Sequence, residues 1–255
     1  MIFNTSTVYS KENEPDGVLK SCTSSREFIA TLQYLRDNSE LKIPENEARK
    51  VAMTVSQGCT GAALRFIKVH HVLTTSGLGA NDALKVSEIF AKKTNPEATT
   101  FVTVFLKSFL EEELDLDMNT AVELARSLSS EFQGDTLGVR KDFEKLVRFC
   151  VNTQDLNLPK PECARFSSRL AKFGEKFGGE TADAFIRLYS FLVTEEGPAL
   201  TRKDAMQLAE RLLNGGKDSP DNFIQAFKYA VSHRGLNLGI REAIDFAENL
   251  TTPKT

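Results

Sequence analysis

Six segments of this chain lie on one frame without a gap, and that limits its fold more than any other feature. The segments are Phe28 to Val55, Ala63 to Phe90, Phe101 to Leu128, Phe143 to Leu170, Phe185 to Leu212 and Phe223 to Leu250. In each, the first and last residues stand 27 positions apart. The sixteenth position reads Ile43, Leu78, Leu116, Leu158, Leu200 and Leu238. Five residues on come Ala48, Ala83, Ala121, Cys163, Ala205 and Ala243. Three further on come Val51, Val86, Leu124, Phe166, Leu208 and Phe246. Columns matched in this way identify an internal repeat whose unit buries its apolar face only against neighbouring units.

Each unit reads as a helical hairpin. After the Ile/Leu column the apolar positions recur at i, i+3, i+4 and i+7, which is one helix face. The Ile/Leu column and the small column five residues later suit the two ends of a hydrophobic staple. The residue between them that starts the helix is Pro44, Gly79, Asp117, Pro159, Thr201 or Gly239. Asp117 and Thr201 are good side-chain caps, and the others are helix starters without one. The first helix of each unit is apolar over most of its circumference, as in Phe185 to Val193, so it needs cover on more than one side. Ser24 to Glu27 reads as a capping box for the first helix, and Asn95-Pro96-Glu97 as cap, proline and acid opening the fifth.

The expected fold is all-α: a right-handed α-solenoid of six helical hairpins, with a closed α/α ring as the alternative. Residues 1–23 read as a flexible N-terminal tail. Residues 24–252 form the repeat domain, with units at about 25–56, 60–91, 97–129, 137–171, 181–213 and 220–251. By the spacing of the turn column the repeat is 35 to 42 residues long. In length and layout it resembles the HEAT and armadillo class of helical hairpin repeats over residues 25–252, without their Pro, Asp and Arg pattern. That resemblance implies a solenoid fold and a habit of binding other macromolecules, and names no ligand.

A net charge of −3 supplies no global field for nucleic acid or membrane. No apolar run reaches the roughly 18 residues of a membrane span, and the first residues carry no secretory pattern. The expected location is the cytoplasm. The 4 cysteines, Cys22, Cys59, Cys150 and Cys163, form no CxxC pair. Cys150 and Cys163 fall in apolar columns and read as buried free thiols, compatible with a reducing compartment.

No catalytic motif is present: no glycine-rich phosphate loop, no HExxH, no nucleophile elbow. No cofactor and no metal site are expected. His70 falls in an apolar column and His71 near a helix end, positions that suit packing and surface. The acidic run Glu111–Asp117 coincides with a repeated turn and reads as a solvated loop.

One pattern stands out. The third and sixth positions of the first helices share a face. They carry Arg65, Lys68, Lys145, Arg148, Arg187 and Lys228 and no acid, in a chain with more acids than bases. If hairpins stack, these six form a basic ridge. The expected function is a non-enzymatic scaffold that binds another protein, with an acidic segment as partner. The alternatives are nucleic-acid or phosphate binding along the ridge, and an enzyme on a closed ring.

Overall fold

The computed structural model describes residues 23–38, 43–110, 112–130, 136–152, 156–173, 179–216 and 218–251. Residues 1–22 of the expected N-terminal tail, Cys22 among them, and Glu111 lie outside the described residues. The described chain is all-helical, with twelve helices. They are α1 (Ser25–Asp37), α2 (Glu45–Ser56), α3 (Ala62–Thr75), α4 (Ala80–Ala91), α5 (Asn95–Phe109) and α6 (Met118–Ser130). Then come α7 (Thr136–Val151), α8 (Lys160–Ala171), α9 (Thr181–Val193), α10 (Arg202–Asn214), α11 (Ser219–Val231) and α12 (Ile240–Thr251).

Consecutive helices pair into six hairpins, and the hairpins pack in chain order. The first helices α1, α3, α5, α7, α9 and α11 form one row, each packed on the next. An inner first helix is thus covered by two row neighbours and its own partner, which is why it is apolar nearly all round. The second helices lie to one side of the row. Neither α11 nor α12 packs substantially on α1 or α2 among the described residues, so the array is open and not a ring.

The turn column shows how closely the units match. Ile43, Leu78, Leu158, Leu200 and Leu238 are half-buried against the core, and Leu116 is buried. The backbone N–H groups of Leu116, Leu158, Leu200 and Leu238 donate to Ser108, Cys150, Leu192 and Ala230, at 2.8, 3.2, 2.8 and 2.8 Å. In the five turns whose preceding residue is described, that residue is left-handed: Gly77, Asp115, Asn157, Ala199 and Asn237 have φ of 96, 50, 50, 52 and 52°. Glycine, Asn and Asp tolerate that conformation, and Ala199 takes it at a cost.

The helix caps are local and follow the chemistry. Thr201 Oγ1 accepts from the Asp204 N–H at 3.2 Å, and Asp117 Oδ1 accepts from the Asn119 and Thr120 N–H groups at 3.1 Å. Pro44, Gly79 and Pro159 start their helices with no side-chain cap bond. Two expected caps change. At α5 the cap is Thr94, one residue early, in a full capping box with Glu97. At α1 Ser24 accepts from the Glu27 N–H, but the Glu27 carboxylate turns away to the next hairpin.

Cys150 and Cys163 are buried as expected, but they are not free. The two are disulfide-bonded, with Cα atoms 5.6 Å apart, and the bridge ties α7 to α8 within one hairpin. Cys59 is also disulfide-bonded, and no described cysteine is free.

Candidate functional site

The row of first helices brings the ridge positions onto one surface, and successive helices touch through them. Lys68 Nζ donates to Thr99 Oγ1 of the next first helix at 2.9 Å. Lys145 pairs with Asp183 at 2.5 Å, and Arg187 with Asp221 at 3.0 Å. Lys228 lies over the Phe191 ring, 5.5 Å from its centre. Arg148 is exposed and makes no ion pair among the described residues. Thr99, Asp183 and Asp221 each stand two residues before the first residue of their unit. That column was open to inspection in the sequence, and it marks where a first helix receives its predecessor.

Arg65 leaves this surface. It is buried, and its guanidinium donates to the carbonyls of Gly58 and Ala91, both at 2.9 Å, and of Thr60 at 3.1 Å. Gly58 makes this possible, since a Cβ there would stand 2.4 Å from the Ala91 carbonyl oxygen. Arg65 therefore ties the end of α2 to the end of α4. Burial lowers its pKa, and Glu27 and Glu97 oppose that shift.

Two buried carboxylates do the complementary work at helix starts. Glu27 accepts from the N–H groups of Gly61 and Ala63 at 3.1 and 2.7 Å. Asp142 accepts from those of Thr181 and Ala182 at 3.2 and 3.0 Å. Each sits one residue before the first position of its unit and caps the first helix of the following unit. Burial raises the pKa of Asp142 against the pull of these bonds.

On the outward face of the first helices, the second, sixth and ninth positions form a stripe. The sixth position carries Lys68, Arg148 and Lys228. The second position beside it carries Ile29 and Leu64, 61% and 64% exposed, buried Val102, and half-buried Glu144, Ile186 and Ile224. The ninth carries exposed Arg36 and His71 in the first two hairpins and half-buried Phe109, Val151, Val193 and Val231 in the rest. Lys228 thus stands between two apolar flanks, Ile224 and Val231, while Lys68 lies between Leu64 and His71 and Arg148 between Glu144 and Val151. Sequence reasoning counted the cations and not the flanks.

The remaining polar candidates are structural. His70 is fully buried, stacked on Phe66, and His71 is exposed. In the acidic turn, Glu113 pairs with Lys107, Asp115 lies 3.7 Å from Lys160, and Asp117 caps α6. Among the described residues no three His, Cys, Asp or Glu side chains are grouped to hold a metal ion. No helix of the described residues is long and apolar enough to cross a membrane. No family model, curated protein or solved structure matches the chain.

Proposed function

We propose that this chain is a non-enzymatic helical-repeat scaffold that binds another protein along the row of first helices. The observation that supports this reading is that Lys68, Arg148 and Lys228 share one face of the first helices, with Leu64, Val151 and the pair Ile224 and Val231 beside them. The matching occupant is a protein segment with acids alternating with apolar side chains. Two ridge cations, Lys145 and Arg187, already have acid partners two residues into the next helix. That weakens the nucleic-acid reading, which needs cations free for phosphate and, for single strands, exposed aromatic platforms. An open array also removes the central pocket that an enzyme on a ring would use.

The test is a binding titration by fluorescence anisotropy with two probes of equal charge, an amphipathic glutamate-rich peptide and a single-stranded oligonucleotide. The peptide binds the wild type, and affinity falls at least ~10-fold in Arg148→Glu with Lys228→Glu. Peptide binding indifferent to that double change, or tighter oligonucleotide binding with a steep salt dependence, overturns the reading.

Paired cysteines persist in oxidising compartments and are rare in the cytoplasm. They argue for an oxidising location over the cytoplasmic one expected from the sequence. Alkylating the protein directly in cells before extraction decides it: protected Cys150 and Cys163 support the first location, labelled ones the second.

A further inference from the structure

Charged links between consecutive hairpins follow a rule in the second half of the molecule, and the last hairpin breaks it. Hairpin four reaches hairpin five through Lys145 to Asp183 and Arg169 to Glu210, the latter at 2.7 Å. Hairpin five reaches hairpin six through Arg187 to Asp221 and Arg211 to Glu248, at 3.0 and 2.9 Å. In the common frame the donors are the third position and the residue before the last. Hairpin six has Gln225 and Asn249 there. Both outward-reaching cations are replaced by neutral amides.

The apolar columns do not stop with the charges. Leu170 and Leu212 close their units at 0% and 1% exposure, and Leu250 in the same column is 64% exposed. Phe149 and Phe191 are each 9% exposed, and Tyr229 in their column is 55% exposed. Tyr229, Leu250 and half-buried Phe246 line an open groove with Asn222 and Gln225, and no charged side chain of the described residues lines it. The outward face of hairpin six is thus built like an internal inter-hairpin surface with its charges removed.

We propose that this face pairs with the same face of a second copy about a two-fold axis. A two-fold contact brings residues near its axis against their own copies, so cations at the third and next-to-last positions beside the groove would face like charges. Amides do not, and each can donate and accept. Tyr229 and Leu250 supply an aromatic and an aliphatic anchor at the centre. A head-to-tail contact fits less well. The opposite end presents Arg26 and Met53 where the internal acceptors are Asp221 and Glu248, and such a contact would propagate without closing.

The test is sedimentation equilibrium of the full chain over a broad dilution series. The expected result is a reversible species of about twice the 28.3 kDa chain mass, with no larger one. Tyr229→Glu and Leu250→Glu each weaken it about 30-fold or more with unchanged circular dichroism. Gln225→Arg with Asn249→Arg, which restores the internal cations, also yields monomer. Met53→Glu at the opposite end leaves the dimer intact. A wild type that stays at the chain mass, a species that grows past the dimer, or a dimer indifferent to Tyr229→Glu and Leu250→Glu overturns the proposal.

Discussion

Acidifying a solution of this protein from about pH 7.5 to about pH 5.0 charges imidazoles in the unfolded chain and leaves His70 neutral in the folded one. His70 is 0% exposed. Its ring lies 5.5 Å from that of Phe66 at 14°, and Tyr34 packs edge-on at 5.7 Å. The Tyr34 hydroxyl meets Nδ1 at 3.1 Å, and Nε2 has no partner among the described residues. No acid compensates a charge there. Burial, with a smaller contribution from His71, pushes the pKa from 6.5 down to about 4. A depressed histidine pKa contributes stability above the unfolded value, and that stability drains away as pH falls from 6.5 towards 4. Integrating the two titrations gives a loss of about 2 kcal/mol between pH ~7.5 and ~5.0, at 1.36 kcal/mol per pKa unit. Urea unfolding at both pH values measures it, with His70→Phe as reference, since that variant keeps the stack and cannot titrate. The wild type loses about 2 kcal/mol more than the variant over this interval. Hydrogen exchange places the loosening in α1 to α3, the helices around Tyr34, Phe66 and His70. Parallel stability curves for the two proteins refute the reasoning.

Other expectations rest on geometry. Ala199 holds φ 52° where Asn157 and Asn237 stand in the adjacent turns. Ala199→Asn therefore raises stability by about 0.5–1 kcal/mol in urea unfolding, and an unchanged midpoint counts against strain in that turn. Asp142→Asn replaces one accepting oxygen by a donor facing a backbone N–H, so stability falls by about 1–3 kcal/mol, read from the same assay. Cys150 and Cys163 close a loop of sequence separation 13, so reduction or double replacement by Ala lowers stability by about 3 kcal/mol. Peptide mapping without reductant recovers the two as one crosslinked fragment, and separate thiol peptides refute the bridge.

What could be read from the sequence was what is decided locally. Turn columns and helix caps depend on residues within one turn of each other, so Thr201 and Asp117 as caps, and Pro44 as a start without one, follow from side-chain type. The face carrying Lys145, Arg148 and Arg187 came from periodicity. What escaped depends on the neighbouring hairpin. Arg65 has the periodicity of its column, but only the packed structure brings the Ala91 carbonyl within its reach. Glu27 stands where a capping box wants it, and two N–H groups of the next hairpin outbid its own helix start. The Cys150 to Cys163 bridge joins the eighth and twenty-first positions of hairpin four, where Cys stands at both and in no other unit.

These inter-hairpin polar contacts also show where the array is weakest. Hairpins two to six share one continuous apolar core running from Val69 to Ala247. Hairpin one belongs to a smaller cluster of Leu35, Ala48, Val51 and Val55 with Phe66, Leu84 and Ala91. Repeat stability is the sum of unit and interface contributions, so the joint with the smaller apolar area depends most on polar geometry. The buried polar groups concentrate there: Glu27 on the start of α3, Arg65 on the ends of α2 and α4, and His70 against Tyr34. Buried polar contacts give little net energy when made and cost much when half-made. A proton on His70 half-breaks this set without touching the larger core. Acid therefore loosens hairpin one while the row from α5 to α11, with its cationic stripe, stays assembled.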